Sequence, residues 1–305
     1  MVERALPEAS VSSAPIAGAA PRRGASIWSA LLAEPRVVIA GGFLVLLALA
    51  AIFAPLIAPH NPLEQDLMLN TLPPAWVDGA EPGYLLGTDS LGRDLLSRMI
   101  YGGRVALTVA LVAAFAAGLI GTVLGLLAGF FGGWIDAAVS RLIDIWMAFP
   151  PVLLSILLVA VIGTGLTSVI LAIVVIDWTR FCRVVRSETL QQARMDYVDA
   201  AVVLGTSRWR ILFVEILPNL LPVVVVLLSL EMGIAVIVEA VLSFVGLSVS
   251  SDMPTWGGLI AEGRQIIYQA WWVLVFPLVL LFATVLAFNQ LGDGLRRLVD
   301  PVLLR

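Results

Sequence analysis

The chain has 305 residues, 60% hydrophobic and 13% charged, with a formal net charge of −4 and a pI near 5.1. Soluble domains are about 45–50% apolar and about 25% charged, so the composition indicates a membrane protein, and the acidic balance argues against nucleic acid. All eighteen cationic residues are arginine, which excludes a standard P-loop and a lysine Schiff base, and a single histidine (His60) and a single cysteine (Cys182) exclude an internal disulfide and any credible Cys/His zinc site.

Residues 1–35 are Ala/Pro/Ser-rich with arginines and little periodicity, and read as a disordered cytoplasmic tail rather than a signal peptide. Val37 to Ile57 is a run of 21 residues without a charge, about 31 Å as a helix and so one hydrocarbon thickness. Residues 58–103 are polar with Pro and Gly, and His60 beside Pro59 and Pro62 reads as a loop histidine. Val105 to Phe131 is a second uncharged run, in which Ala113, Ala117, Gly121, Gly125 and Gly129 recur every four residues. Such a stripe predicts close approach of another helix. Leu142 to Ile162 is a third span, carrying Asp144 and a Pro150-Pro151 break, and Leu166 to Cys182 is a weaker fourth with Asp177 and Arg180.

A polar segment at about 183–213 separates these from Ile216 to Leu247, which contains Glu231 and Glu239 and exceeds one bilayer thickness, so it must tilt, kink or protrude. Ala270 to Phe288, with Pro277 inside, is the sixth span. Most arginines fall on the even-numbered connections and the ends, which predicts six transmembrane helices with both termini cytoplasmic and the 183–213 segment on the cytoplasmic side. The expected divisions are a tail over 1–35, a first helix and outer segment over 36–103, a core over 104–292 and a cytoplasmic end over 293–305.

The polar segment has its own plan. Asp196 is suited to cap a helix, with Asp199 at its third position in a capping-box-like arrangement. Ala200 and Ala201 keep one surface flat, and Gly205 suits a left-handed C-terminal cap. Thr206 and Ser207 are placed to start a second short helix through Arg210, and Pro218 predicts a bend into the membrane. Alone, this supports a surface helix-turn-helix.

Asp199-Ala200-Ala201-x3-Gly205, followed by Leu217-Pro218, resembles the E-A-A-x-x-x-G…L-P coupling motif of ABC-importer permeases. Leu86-Gly87-Thr88-Asp89-Ser90-Leu91-Gly92-Arg93-Asp94 is similar to the outer segment of the C-type permeases of dipeptide/oligopeptide importers. So are Gly129-Phe130-Phe131-Gly132-Gly133-Trp134-Ile135-Asp136, Ala148-Phe149-Pro150, Glu239 to Leu247, Trp256-Gly257, Ala287 to Arg296 and Asp300-Pro301. The resemblance spans about residues 36–301 in order. Two departures stand out: Asp199 replaces the family's usual glutamate, one methylene longer, and Cys182 stands where a small residue is usual.

The resemblance implies an all-α integral membrane protein with the type I ABC-importer permease fold, in the cytoplasmic (inner) membrane of a prokaryote. It implies a second homologous permease, two ABC ATPase subunits, an extracytoplasmic solute-binding protein and peptide cargo. No cofactor is expected in this chain, since ATP and Mg would be bound by the partner ATPases, and no catalytic residue or metal ligand is expected. Asp199, Ala200, Ala201, Gly205, Leu217 and Pro218, within a coupling region at 189–218, would receive the ATPase movement. Specificity would lie mostly in the binding protein.

Acids at membrane depth face protein or water. Asp144 is spaced to pair with Arg141, and Asp177 with Arg180, at i,i+3. Glu231 and Glu239 are the candidate pathway or gate residues, with Glu231 positioned to meet a peptide amine. Trp256, Trp271 and Trp272 read as an interfacial aromatic belt. Two alternatives remain open: a nickel, glutathione or other small-solute ABC importer, and an ion-coupled secondary transporter using Glu231, Glu239 and Asp177.

Overall fold

The computed structural model describes residues 34–248 and 253–299. The expected disordered tail lies almost entirely outside these residues, as do Asp300-Pro301 and part of the loop before Met253. All regular structure among the described residues is helical, apart from one isolated bridge between Thr88 and Asp94.

Helix α1 spans Pro35–Ile52, with proline in the first position, where a missing N–H costs nothing. It breaks at Phe53 and restarts as α2, Ala54–Ile57, with Pro55 in its first turn, where a missing N–H is tolerated. Helix α3 spans Leu95–Phe131 and begins ten residues before the expected Val105. Asp94 sets that start: its side chain accepts from Ser97 N at 2.8 Å and Ser97 Oγ at 2.6 Å. Gly132 and Gly133, both at positive φ, turn the chain into α4, Gly133–Met147, and then α5, Pro151–Ile162. The axes of α4 and α5 differ by 88°. Pro150 has extended ψ of 121° because Pro151 follows it, so the expected third span is a sharply bent pair.

Helix α6 spans Leu166–Gln192, the short α7 spans Asp196–Val203, and α8 runs without interruption over Arg208–Phe244. Helices α9, Trp256–Gln265, and α10, Trp271–Val299, complete the bundle. The most extensive helix pair is α3 with α6; α8 joins it to α10, and α1 packs on α3 and α10. The small-residue stripe is the reason. A Cβ at Gly125 would lie 2.8 Å from Cys182 O and 3.0 Å from Arg186 N, and one at Gly129 would lie 2.7 Å from Thr189 Cβ. Backbone meets backbone there, as the spacing predicts.

Helices α1, α3, α8 and α10 are long and apolar enough to cross a bilayer, and the bent α4–α5 pair makes a fifth such span. By length and composition these are five of the six expected spans, and α6 is the other. Helix α6 has 27 residues, but each of its 18-residue windows contains at least three charged side chains, among them Asp177, Arg180 and Arg183. Its burial against α3, α5 and α8 removes the requirement that it be apolar all round.

Candidate coupling segment and intramembrane site

Helix α7 is held by its buried side and bare on the other. Val198 and Ala201 pack with Leu126 of α3, Val185 of α6, and Leu212 and Ile216 of α8. Tyr197 donates its hydroxyl to Gln192 Oε1 at 2.8 Å and accepts from Asn219 Nδ2 at 3.4 Å, so the residue after Pro218 is tied to α7. Asp199, Ala200 and Gly205 are exposed, and Val203 and Leu204 are 86% and 83% exposed.

Gly205 behaves as its position predicts. It has φ +77°, its N–H donates to Val202 O at 2.9 Å, and Thr206 N donates to Ala201 O at 3.0 Å. These are the two bonds of a Schellman cap. The start of α7 differs from expectation. Met195 is the N-cap and Asp196 the first helical residue, so Asp199 is the fourth and no side-chain capping bond forms. Both acids still lie in the first turn, where the helix dipole favours them.

The expected bend at Leu217-Pro218 is a π-turn over Ile211–Ile216 inside a continuous helix. Pro218 has no N–H and its ring would collide with the carbonyl of Val214 in a regular α-helix. Widening the preceding turn to i→i+5 absorbs the defect without ending the helix. Leu217 packs into the cluster beneath α7, and Pro218 is exposed. Trp209, near the start of α8, lies 5.2 Å from Phe131 and is stacked on Phe213 at 6.0 Å.

The intramembrane acids separate into different roles. Glu239 is 1% exposed and accepts from Ser243 Oγ at 2.6 Å and Ser248 Oγ at 3.3 Å, which ties the end of α8 to the chain beyond it. Asp177 pairs with Arg180 at 3.5 Å, as the i,i+3 spacing predicts. Glu231, from α8, reaches the same arginine at 3.9 Å. The structure therefore places Glu231 with Asp177 and away from Glu239. Asp144 makes no ion pair with Arg141 among the described residues. It lines a cleft of about 330 Å³ with Arg183 and Arg186. Arg186 is bidentate on Asp136, through Nε to Oδ1 and through Nη2 to Oδ2 at 2.8 Å, which clasps α6 to α4.

The outer segment contains a network that sequence patterns do not expose. Asp89 is fully buried and accepts from Leu91 N at 2.8 Å, Arg93 N at 3.0 Å, Arg93 Nε at 2.7 Å and Arg98 Nη1. Glu262, on α9, accepts from Arg98 Nη1 at 2.9 Å, Ser90 Oγ at 2.8 Å and Arg93 Nη2 at 3.2 Å. Burial pushes the Glu262 carboxyl up, but Arg98, Ser90 and Arg93 hold it below the ordinary glutamate value. Trp256 and Trp272 are buried, donating to Met99 O at 2.9 Å and Thr88 O at 3.0 Å. They anchor the outer segment to the bundle, so the expected aromatic belt reduces to Trp271, 42% exposed.

A multi-pass helical bundle that carries a braced, half-bare helix at one end defines a membrane permease, a transport component rather than an enzyme. Residues 121–305 match the family described as binding-protein-dependent transport system inner membrane component, and residues 23–74 match the N-terminal TM domain of oligopeptide transport permease C. The chain belongs to the binding-protein-dependent transport system inner membrane component family.

It is 42% identical over 261 residues to the dipeptide transport system permease protein DppC of Escherichia coli (strain K12), covering 86% of this chain and 87% of that one. It is 39% identical to the di/tripeptide transport system permease protein DppC of Pseudomonas aeruginosa, over 86% of each chain. It is likewise 39% identical to the glutathione transport system permease protein GsiD of Pectobacterium atrosepticum, over 90% of each. A chain of the MetNI methionine ABC transporter shares the fold, with a TM-score of 0.58 at 22% identity over 68% of this chain and 98% of that one. The protein is thus an ABC-importer permease that works with ATPase and binding-protein subunits, and the ion-coupled alternative falls away.

Proposed function

We propose that this chain is the permease of a di- or oligopeptide importer in the cytoplasmic membrane of a prokaryote, with both termini cytoplasmic. It pairs with a second homologous permease to enclose the pathway. An extracytoplasmic solute-binding protein delivers cargo to the outer segments, and two ABC ATPases, which bind ATP and Mg themselves, dock on the cytoplasmic side. Asp199, Ala200, Ala201 and Gly205 form the docking helix, and Leu217 and Pro218 pass its movement into α8. The cargo assignment rests on the names and identities of the two DppC relatives.

The observation that carries the coupling role is the two-sidedness of α7. Its inner side is packed on α3, α6 and α8, so force on the helix reaches three spans at once. Its outer side leaves Val203 and Leu204 bare, an apolar patch suited to a partner. The chain has no lysine for a P-loop of its own.

Gly205→Val tests this. A β-branched residue at φ +77° costs at least about 1–2 kcal/mol, which unwinds the cap and weakens ATPase retention on the purified permease pair by about tenfold. ATP-driven dipeptide uptake into proteoliposomes falls with it. Full uptake by Gly205→Val together with Leu204→Asp, or uptake by the permeases alone on an ion gradient, overturns the reading. Glutathione is the second reading, carried by the GsiD relative, and competition between glutathione and a dipeptide for uptake separates the two.

A further inference from the structure

The Asp177–Arg180–Glu231 cluster joins α6 to α8, with Arg180 two residues before the apolar run of α6 ends at Cys182. Arg180 is the fifteenth of the 27 residues of α6, and Glu231 lies near the centre of the apolar part of α8. An ionised side chain within a span cannot face lipid, so the side of α6 that bears Arg180 faces protein or water. Within this chain that side is uncovered: the Arg180 side chain is 39% exposed, whereas those of Asp177 and Glu231 are 5% and 4% exposed.

Arg180 is also unsatisfied. A guanidinium carries five N–H donors, yet its contacts to the two acids, 3.5 Å and 3.9 Å, exceed hydrogen-bond length. No hydrogen bond from the Arg180 side chain forms among the described residues. Beneath it, Glu231 Oε1 is buried with no hydrogen-bond partner. The acids are enclosed and cannot meet a solute in this arrangement, and the arginine can. The charge polarity at this site is therefore opposite to a Glu231 that meets an amine.

We propose that Arg180 is a cargo-binding residue of the translocation pathway, taking the terminal carboxylate of the peptide, with Asp177 and Glu231 as positioning residues that hold the guanidinium towards the pathway. This rests on the peptide-importer reading above. A guanidinium matches a carboxylate bidentately, and the donors that Asp177 and Glu231 leave unfilled are free for one. One turn further along α6, Arg183 is exposed beside the cleft that Asp144 and Arg186 line. A second cation thus lies between the site and the end of the helix that leads to α7.

The test uses the complete importer in proteoliposomes, with binding protein saturated by a dipeptide carrying a free carboxylate or by its C-terminal amide. Arg180→Gln is expected to lower uptake of the free-carboxylate peptide by about tenfold or more, the loss of one charge-assisted hydrogen bond, and to leave the amide within about twofold. Arg180→Lys keeps the charge and restores part of the uptake. Glu231→Gln, which frees the arginine without removing it, raises KM for the free-carboxylate peptide more than it lowers the maximal rate.

Arg180→Cys supplies a readout independent of uptake. The one native thiol, Cys182, is fully buried, so a water-soluble thiol reagent is expected to label position 180 in the assembled importer. Equal losses for both peptides in Arg180→Gln, or no labelling of Arg180→Cys in any nucleotide state, overturns the assignment. If the wild-type importer moves neither peptide, the peptide-importer reading fails instead, and the two failures are distinct.

Discussion

The α3–α6 contact gives the sharpest stability test, because two helical glycines in the same fold predict opposite signs. A methyl at Gly121 would fall against Trp178 O, Phe181 Cβ and Cys182 N, the last at 2.9 Å. Comfortable packing needs about 3.5–4.0 Å. Two of the three atoms are α6 backbone, so no side chain can rotate aside and the helices must separate. Overpacking of this kind costs about 1–3 kcal/mol, outweighing the gain of about 0.5–1 kcal/mol from placing alanine instead of glycine in a helix. At Gly42 of α1, a Cβ meets nothing within 4 Å. Only the helical gain applies there. Gly121→Ala is therefore expected to destabilise the detergent-solubilised protein by about 1–2 kcal/mol, and Gly42→Ala to leave it unchanged or slightly more stable. Equilibrium unfolding followed by tryptophan fluorescence, together with a thermal melt, measures both. If Gly121→Ala is as stable as Gly42→Ala, the small-residue stripe is not what sets the distance between the helices.

The outer network yields two further predictions. Glu262 is held below its ordinary value of 4.5, so its contribution is present above that pH and is lost as the pH falls through the lowered folded value. The wild type is expected to lose thermal stability between about pH 5 and pH 3, and Glu262→Gln to start lower at neutral pH and to change less over that interval; parallel melting curves would contradict the ion-pair assignment. Trp256→Phe removes the donor to Met99 O and leaves a gap beside Gly102 and Gly103, lowering stability by about 1–3 kcal/mol. An unchanged melting temperature for Trp256→Phe would return Trp256 to an interfacial role.

The features legible in the sequence are those fixed by local spacing. The four-residue stripe on α3, the left-handed Gly205, the break at Pro150-Pro151 and the Asp177–Arg180 pair each depend on neighbours within a turn or two, and each is found. The errors fall where a distant partner decides. Glu262 meets arginines 164 and 169 positions away, and nothing around it marks it as more than a loop acid. Arg186 meets Asp136 from 50 positions away, and Asp144 lines the cleft beside Arg183 and Arg186 instead of pairing with Arg141. Trp256 and Trp272 look interfacial by composition, but glycines beneath and carbonyl acceptors nearby draw them inward.

The π-turn shows how the two kinds of information combine at the coupling segment. Pro218 forces a defect at a known place, but sequence alone does not tell a stop from a widened turn, since that depends on what covers the defect. Here Ile211, Leu212 and Ile216 are buried under α7 and against Leu126 of α3. That burial keeps the backbone helical through the defect. A helix that stopped at Pro218 would act as a hinge and dissipate a push on α7. A continuous α8 carries the push 13 residues on, to Glu231. Glu231 abuts Arg180, so movement at the cytoplasmic surface alters the brace behind Arg180. On this reasoning, Pro218→Ala straightens the π-turn and changes how α8 is driven while leaving α7 docked. ATPase subunits are expected to co-purify normally with Pro218→Ala, while peptide uptake per ATP hydrolysed falls severalfold. Unaltered coupling in that variant would show that the widened turn only accommodates the proline.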